Sequence, residues 1–179
     1  MNQNDLRVIK TKNLLSTSLF HLLEENGLSS ITIKMICDNA LVHRTTFYKH
    51  FQDKYDLLVY LFKGYSKNYF ELDIKTRINS PIESINYIIT SKIKGIQQKQ
   101  KKEPEFHEIL TNYFVGVLEN DIQANIKRFR IDSNVPESLI IYIYRANLDA
   151  ILKWARENKI NKTSQELDQI FHQVIKMEI

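Results

Sequence analysis

Four side chains within six residues could do chemistry together: Arg44, Thr45, Tyr48 and Lys49. On a helix turning about 100° per residue, with Arg44 at zero, Tyr48, Thr45 and Lys49 lie at about 40°, 100° and 140°. Thr46, Phe47 and Phe51 fall on the opposite arc, with His50 beside them. One side of such a helix is apolar and led by two phenyl rings; the other is cationic and rich in hydrogen-bond donors. In an arbitrary helix those polar residues would be solvated surface. Here the division matches what the major groove of a duplex requires, a helix that packs with one side and reads base edges with the other. Arg44 could donate two hydrogen bonds to a guanine edge, and Thr45 could touch a thymine methyl or donate to a base. Tyr48 and Lys49 could reach phosphates or nearby bases.

A helix this short must be held by others. Residues 6–26 predict a first helix, with Leu15, Leu19 and Leu22 at helical spacing. Asn26-Gly27 reads as its stop, because glycine tolerates the left-handed conformation that ends helices. Thr32 can cap a second helix in which Ile33, Ile36, Cys37 and Ala40 share one face. A break at Leu41-Val42-His43 separates it from a third helix, Arg44 to about Phe51. Asp53 then caps a fourth, reaching about Glu71. Two short helices joined by a tight break predict a helix-turn-helix. Thr32 and Lys34, where backbone N–H groups favour an anion, are candidate phosphate contacts, as is Lys54 at the start of the fourth helix. His50 is a candidate for both packing and phosphate contact.

The run Thr32-Ile33-Lys34-Met35-Ile36-Cys37, followed by Arg44-Thr45-Thr46-Phe47-Tyr48-Lys49-His50-Phe51-Gln52-Asp53-Lys54-Tyr55-Asp56-Leu57-Leu58, resembles the N-terminal domain of the TetR/AcrR family. The clear resemblance covers about residues 8–60. Ala150, Lys153 and Trp154, followed by Thr163-Ser164-Gln165-Glu166-Leu167, resemble the family's last two helices more weakly; residues 70–135 carry no signature. The resemblance implies a sequence-specific transcriptional regulator, commonly a ligand-responsive repressor. It also implies a homodimer joined through its last two helices, a near-palindromic double-stranded DNA operator, and a C-terminal cavity for a small-molecule inducer. Family members often have Gly where this chain has Leu41, and Ser or Asn at the helix cap where it has His43. His43 is then either a weaker cap or an extra DNA contact. The two departures leave open an alternative, a coactivator or ligand sensor acting through a protein partner.

Further along, Ser80-Pro81-Ile82-Glu83 predicts a helix start with a capping box, followed by an apolar stripe at Ile82, Ile85, Ile89, Ile93 and Ile96. Helices are expected over 105–119 and 121–130. A long one should run from Val135-Pro136-Glu137 to about Glu157, and a last one should start at the capping box Thr163–Glu166. The expectation is an all-α fold of about nine helices. Residues 1–52 would form a three-helix helix-turn-helix DNA-binding domain, and 53–179 a helical ligand-binding and dimerisation domain, with helix 53–71 connecting the two. Tyr113 and Tyr142 are candidates to line a ligand cavity. Tyr144, Ile151, Trp154, Leu167, Ile170, Phe171 and Val174 are candidates for the dimer seam.

Composition narrows the rest. Gly (4) and Pro (3) are scarce in 179 residues, against an all-β fold with many tight turns. The net charge of +4 permits nucleic acid as a partner. Residues 1–56 hold seven Lys/Arg against six Asp/Glu, so the placement of the charges, not their total, points to a nucleic acid. A single cysteine, Cys37, allows no internal disulfide. No two of the five histidines stand four apart, so neither metal nor cofactor is expected. Without a glycine-rich phosphate loop or a nucleophile motif, the chain does not read as an enzyme. No apolar run approaches the roughly 20 residues of a membrane helix. The polar N-terminus lacks a signal core, and the reading is cytoplasmic.

Overall fold

The computed structural model describes residues 6–85, 91–128 and 135–175. Among them stand eleven α-helices: α1 Leu6–Glu25, α2 Ile33–Ala40, α3 Arg44–Phe47, α4 Lys54–Tyr65, α5 Lys67–Glu71, α6 Ile74–Asn79, α7 Pro81–Ile85, α8 Ser91–Lys99, α9 Pro104–Asn125, α10 Glu137–Glu157 and α11 Ser164–Ile175. The all-α expectation holds. By compactness the chain forms two units, residues 1–67 with 89–110, and 68–88 with 111–179.

In the first unit, local chemistry sets most helix ends. Thr32 Oγ1 accepts from the Met35 N–H at 3.2 Å, and Asp53 Oδ1 accepts from Tyr55 and Asp56 N–H at 2.8 Å each. Both expected N-caps form. Leu15, Leu19, Leu23, Leu28, Ile36, Phe47, Leu57 and Leu58 are fully buried, each contributing about 1.5–3 kcal/mol of transfer free energy. The buried Ser18 hydroxyl donates to Ile36 O at 2.8 Å and ties α1 to α2. Ile93 and Ile96 of α8 are buried in the same unit; Ile89, of the same expected stripe, lies outside the described residues.

The end of α1 departs from expectation. Gly27 is extended, at φ −65° and ψ 145°, not left-handed. Its missing side chain instead leaves room for the Glu103 carboxylate, into which a Cβ would run. Left-handed backbone stands instead at the end of α2, where Leu41 has φ 54° and ψ 41°. Val42 N–H donates to Cys37 O at 3.0 Å and Leu41 N–H to Asp38 O at 3.3 Å. That is the double closure of a Schellman end, made with leucine where glycine is usual. The conformation costs a leucine about 1–2 kcal/mol.

The expected connecting helix over 53–71 is interrupted at Ser66. There the backbone tightens, Ser66 N–H donating to Lys63 O at 3.2 Å, while the buried hydroxyl donates back to Phe62 O at 2.8 Å. The helices expected at 105–119 and 121–130 are one, α9, which runs on into a 3-10 turn over Ile126–Arg128; residues 129–130 lie outside the described set.

In the second unit, Ile78, Ile82, Phe114, Leu118, Ile122, Leu148 and Phe171 form the core. The expected Ser80–Glu83 capping box is absent. The N–H groups of Ile82 and Glu83 donate instead to the two oxygens of Asp168, at 2.9 Å each, from α11. Burial raises the Asp168 pKa, and these two hydrogen bonds oppose the rise. The second capping box does form: Thr163 N–H and hydroxyl donate to Glu166 Oε2 at 2.8 and 2.9 Å, and Glu166 N–H donates to Thr163 Oγ1 at 3.2 Å. Those bonds hold the Glu166 carboxyl below its ordinary range. No helix among the described residues is long and apolar enough to cross a membrane.

Candidate nucleic-acid interface

The third helix starts without a side-chain cap. His43 occupies the N-cap position with no capping hydrogen bond. After Phe47 the turn tightens: Lys49 N–H donates to Thr46 O at 3.2 Å and His50 N–H to Phe47 O at 2.9 Å. Phe51 N–H still reaches Phe47 O at 3.0 Å, so the path stays helical to Phe51 although the regular α segment ends at Phe47.

The two sides separate as the sequence predicts. Phe47 and Phe51 are buried, their ring centroids 5.8 Å apart, and Phe51 packs edge-on against Tyr60 at 5.3 Å. Arg44, Thr45, Tyr48 and Lys49 are all exposed, Tyr48 at 52%. His43, Thr32 and Lys34 are exposed as well, at the turn and at the start of α2. His50 is half-buried, and its pKa is lowered by burial, then by Lys12 and Lys49. Its imidazole is therefore neutral at pH 7 and offers a single N–H to a phosphate. Cys37 is a core thiol, its pKa raised by burial.

Lys54 is a correction. Its ammonium faces inward and donates to Leu28 O at 2.8 Å, Ile31 O at 2.9 Å and Ser29 O at 3.4 Å. An ammonium has three donors, and all three hold the turn before α2, so Lys54 supports the surface rather than touching a phosphate. Lys12, which the sequence reading passed over, lies over the rings of Phe51 (5.8 Å) and Tyr60 (5.4 Å). Only its helical phase against Phe51, across forty residues of sequence, could have indicated it.

The C-terminal candidates divide. Tyr144 is buried in its own unit, its hydroxyl donating to Ile78 O at 2.8 Å and its ring 4.8 Å from Phe171. Ile151 and Phe171 are likewise buried. These three belong to the interior of their own unit and present no surface to a second copy, because one face of α10 packs on α11. Leu167 and Ile170 are half-buried, and Trp154 (41%) and Val174 (45%) are exposed. On α10 the outward apolar residues are Leu139, Tyr142, Ile143, Ala146, Ala150 and Trp154, all within about 60° of Leu139 around the helix axis. Tyr142, 69% exposed, lines a shallow groove of about 210 Å³ with Asn112, Val115, Arg145, Ala146 and Asp149. Tyr113 is half-buried, its ring 4.9 Å from Phe114. The second unit also holds a polar interior that the sequence did not reveal. Arg77 Nη1 lies 2.9 Å from Asp121 Oδ2, both largely buried, and the guanidinium stands 5.2 Å from the Tyr69 ring.

Comparison with known proteins agrees with this geometry. Residues 18–61 match the profile of bacterial regulatory proteins of the tetR family. No curated protein sequence matches the chain. Among solved structures, a TetR transcriptional regulator from Streptococcus agalactiae 2603V is similar at TM-score 0.57 and 20% identity, over 97% of each chain. A TetR-family transcriptional regulator from Syntrophomonas wolfei str. Goettingen is similar at 0.54 and 19%, over 94% of each. The dihydroxyacetone kinase operon activator DhaS is similar at 0.52 and 19%, over 93% of each. Residues 18–61 thus resemble bacterial regulatory proteins of the tetR family, and the fold of the chain is the one that the TetR-family structures share.

Proposed function

We propose that the protein is a homodimeric, sequence-specific, ligand-responsive DNA-binding regulator, most simply a repressor, working in the cytoplasm. The observation that carries the reading is the sidedness of α3: Phe47 and Phe51 are buried while Arg44, Thr45, Tyr48 and Lys49 are all exposed. Arg44 and Thr45 would read base edges. Thr32, Lys34, His43, Tyr48, Lys49 and His50 would fix register on phosphates. Two copies would set their third helices about one DNA turn apart, roughly 34–36 Å, on a near-palindromic site. What supports a homodimer is the apolar strip left outward on α10, joined by Val174 of α11. A ligand taken by the C-terminal part, with Tyr113 and Tyr142 as candidate contacts, would change operator affinity through a coupling free energy.

A second reading has its own observation. Leu41 stands in the turn 93% exposed, and His43 caps nothing, features that suit contact with a protein partner in place of, or beside, DNA. The same fold serves a protein described as an operon activator, so repression is the part of the proposal least tied to the fold. A gel-shift series against DNA flanking the protein's own gene separates the two readings. Direct binding predicts retardation that weakens steeply with salt. No retardation by the purified protein at low salt would favour the partner-mediated reading.

A further inference from the structure

Resting on the DNA-reading assignment above, we propose that Gln100 is a positioning residue for operator binding. Its carboxamide, with the carboxylate of Glu103, fixes the turn Leu28–Ser30 that delivers Thr32 and Lys34 to the phosphate backbone.

Gln100 is fully buried in the first unit, in the 3-10 turn Gln100–Lys102. Its Nε2 donates to Leu23 O at 2.8 Å and Asn26 O at 2.7 Å, and its Oε1 accepts from Leu28 N–H at 2.8 Å. The carbonyls at a helix end lack partners within the helix. One side chain therefore closes the end of α1 and holds the first N–H of the following turn. Only a primary carboxamide combines two donors with an acceptor and no charge. Glu103 Oε2 accepts from Ser29 N–H at 3.0 Å, and its Oε1 accepts from the Ser29 hydroxyl at 3.1 Å. Gly27 supplies the space in which that carboxylate lies. From the opposite direction Lys54 holds Leu28 O and Ile31 O. The backbone between α1 and α2 is thus tied by three side chains, two of them about seventy residues away in sequence. Ile31, buried, is followed at once by exposed Thr32 at the cap of α2.

None of these bonds reaches α3. The arrangement therefore assigns Gln100 and Glu103 to affinity through phosphate contacts, and leaves base preference to the Arg44 face. Glu103 is half-buried, so its truncation spares the core. Gln100→Glu loses both donors and puts a carboxylate against the Leu23 and Asn26 carbonyls, which pushes the side chain off the turn.

The test compares the whole wild-type protein with Gln100→Glu and Glu103→Ala on a duplex selected by the wild type from random sequence. Alongside it, amide hydrogen exchange is followed at Leu28, Ser29 and Phe47. The expected result is binding about tenfold weaker for Gln100→Glu and about threefold weaker for Glu103→Ala. The selected sequence preference is retained, exchange is faster at Leu28 and Ser29, and it is unchanged at Phe47. Affinities within about twofold of wild type in both variants overturn the proposal. Loss of base preference with faster exchange at Phe47 in both variants also overturns it, since that marks general loosening. A wild-type protein that selects no duplex overturns the DNA-reading assignment itself, and this proposal with it.

Discussion

His50 sits where the packed side of α3 meets its exposed face, and its titration reports on both. In the folded protein its pKa lies below the ordinary 6.5, through burial and then Lys12 and Lys49. The neutral ring suits the fold: the stability this shift contributes is present above about pH 6.5 and is lost as pH falls through the folded value. A phosphate brought against the ring pulls the pKa the other way, so binding takes up a proton. Operator affinity is expected to rise as pH falls from 7.5 to 6, and the rise should vanish in His50→Gln; fluorescence anisotropy across that range checks it. Leu41 offers a test that needs no DNA. Glycine relieves the left-handed strain but loses more entropy on folding. Leu41→Gly should therefore stabilise the protein by roughly 0.5–1 kcal/mol, read from urea unfolding at unchanged slope. The α3 face was legible from sequence because it depends only on residue type and helical phase. The inward turn of Lys54 was not, because its acceptors are carbonyls 23 to 26 residues away.

Among the elements, the same boundary separates what a sequence discloses from what it hides. Thr32, Asp53 and the Thr163–Glu166 box cap through bonds within four residues, and each was readable. The helix starting at Pro81 has an equally good local signal, yet Asp168 from α11 takes its N–H groups. A carboxylate accepts more strongly than a hydroxyl, and no local pattern announces a partner 86 residues on. Asp168→Ala should destabilise the protein by about 1–3 kcal/mol, since two N–H groups lose their acceptor. Asp168→Asn should lose less, because it keeps one acceptor; thermal unfolding ranks them. The short helix α6 does open on a local cap, Asp73 Oδ2 accepting from Lys75 N–H at 2.9 Å, which the periodicity of apolar residues does not disclose.

At the scale of the whole molecule, the return of residues 91–110 to the helix-turn-helix unit has no counterpart in the sequence, whose signals divide the chain once, near residue 53. The outward apolar strip of α10 was half legible. The apolar run Leu139–Tyr144 is plain in the sequence, but which of its residues face inward depends on how α11 packs. If that strip joins two copies, Ile143→Glu should weaken the dimer by about 2 kcal/mol or more, seen as monomer in sedimentation at micromolar concentration with helicity unchanged. A DNA-reading role depends most on the outward face of α3. Parallel selection of random duplexes by the wild type and by Arg44→Ala tests it most directly. The predicted result is a near-palindromic motif for the wild type. Arg44→Ala should bind that motif roughly 1–3 kcal/mol more weakly and lose preference at one symmetric pair of positions. An identical motif and affinity for both proteins would contradict the assignment.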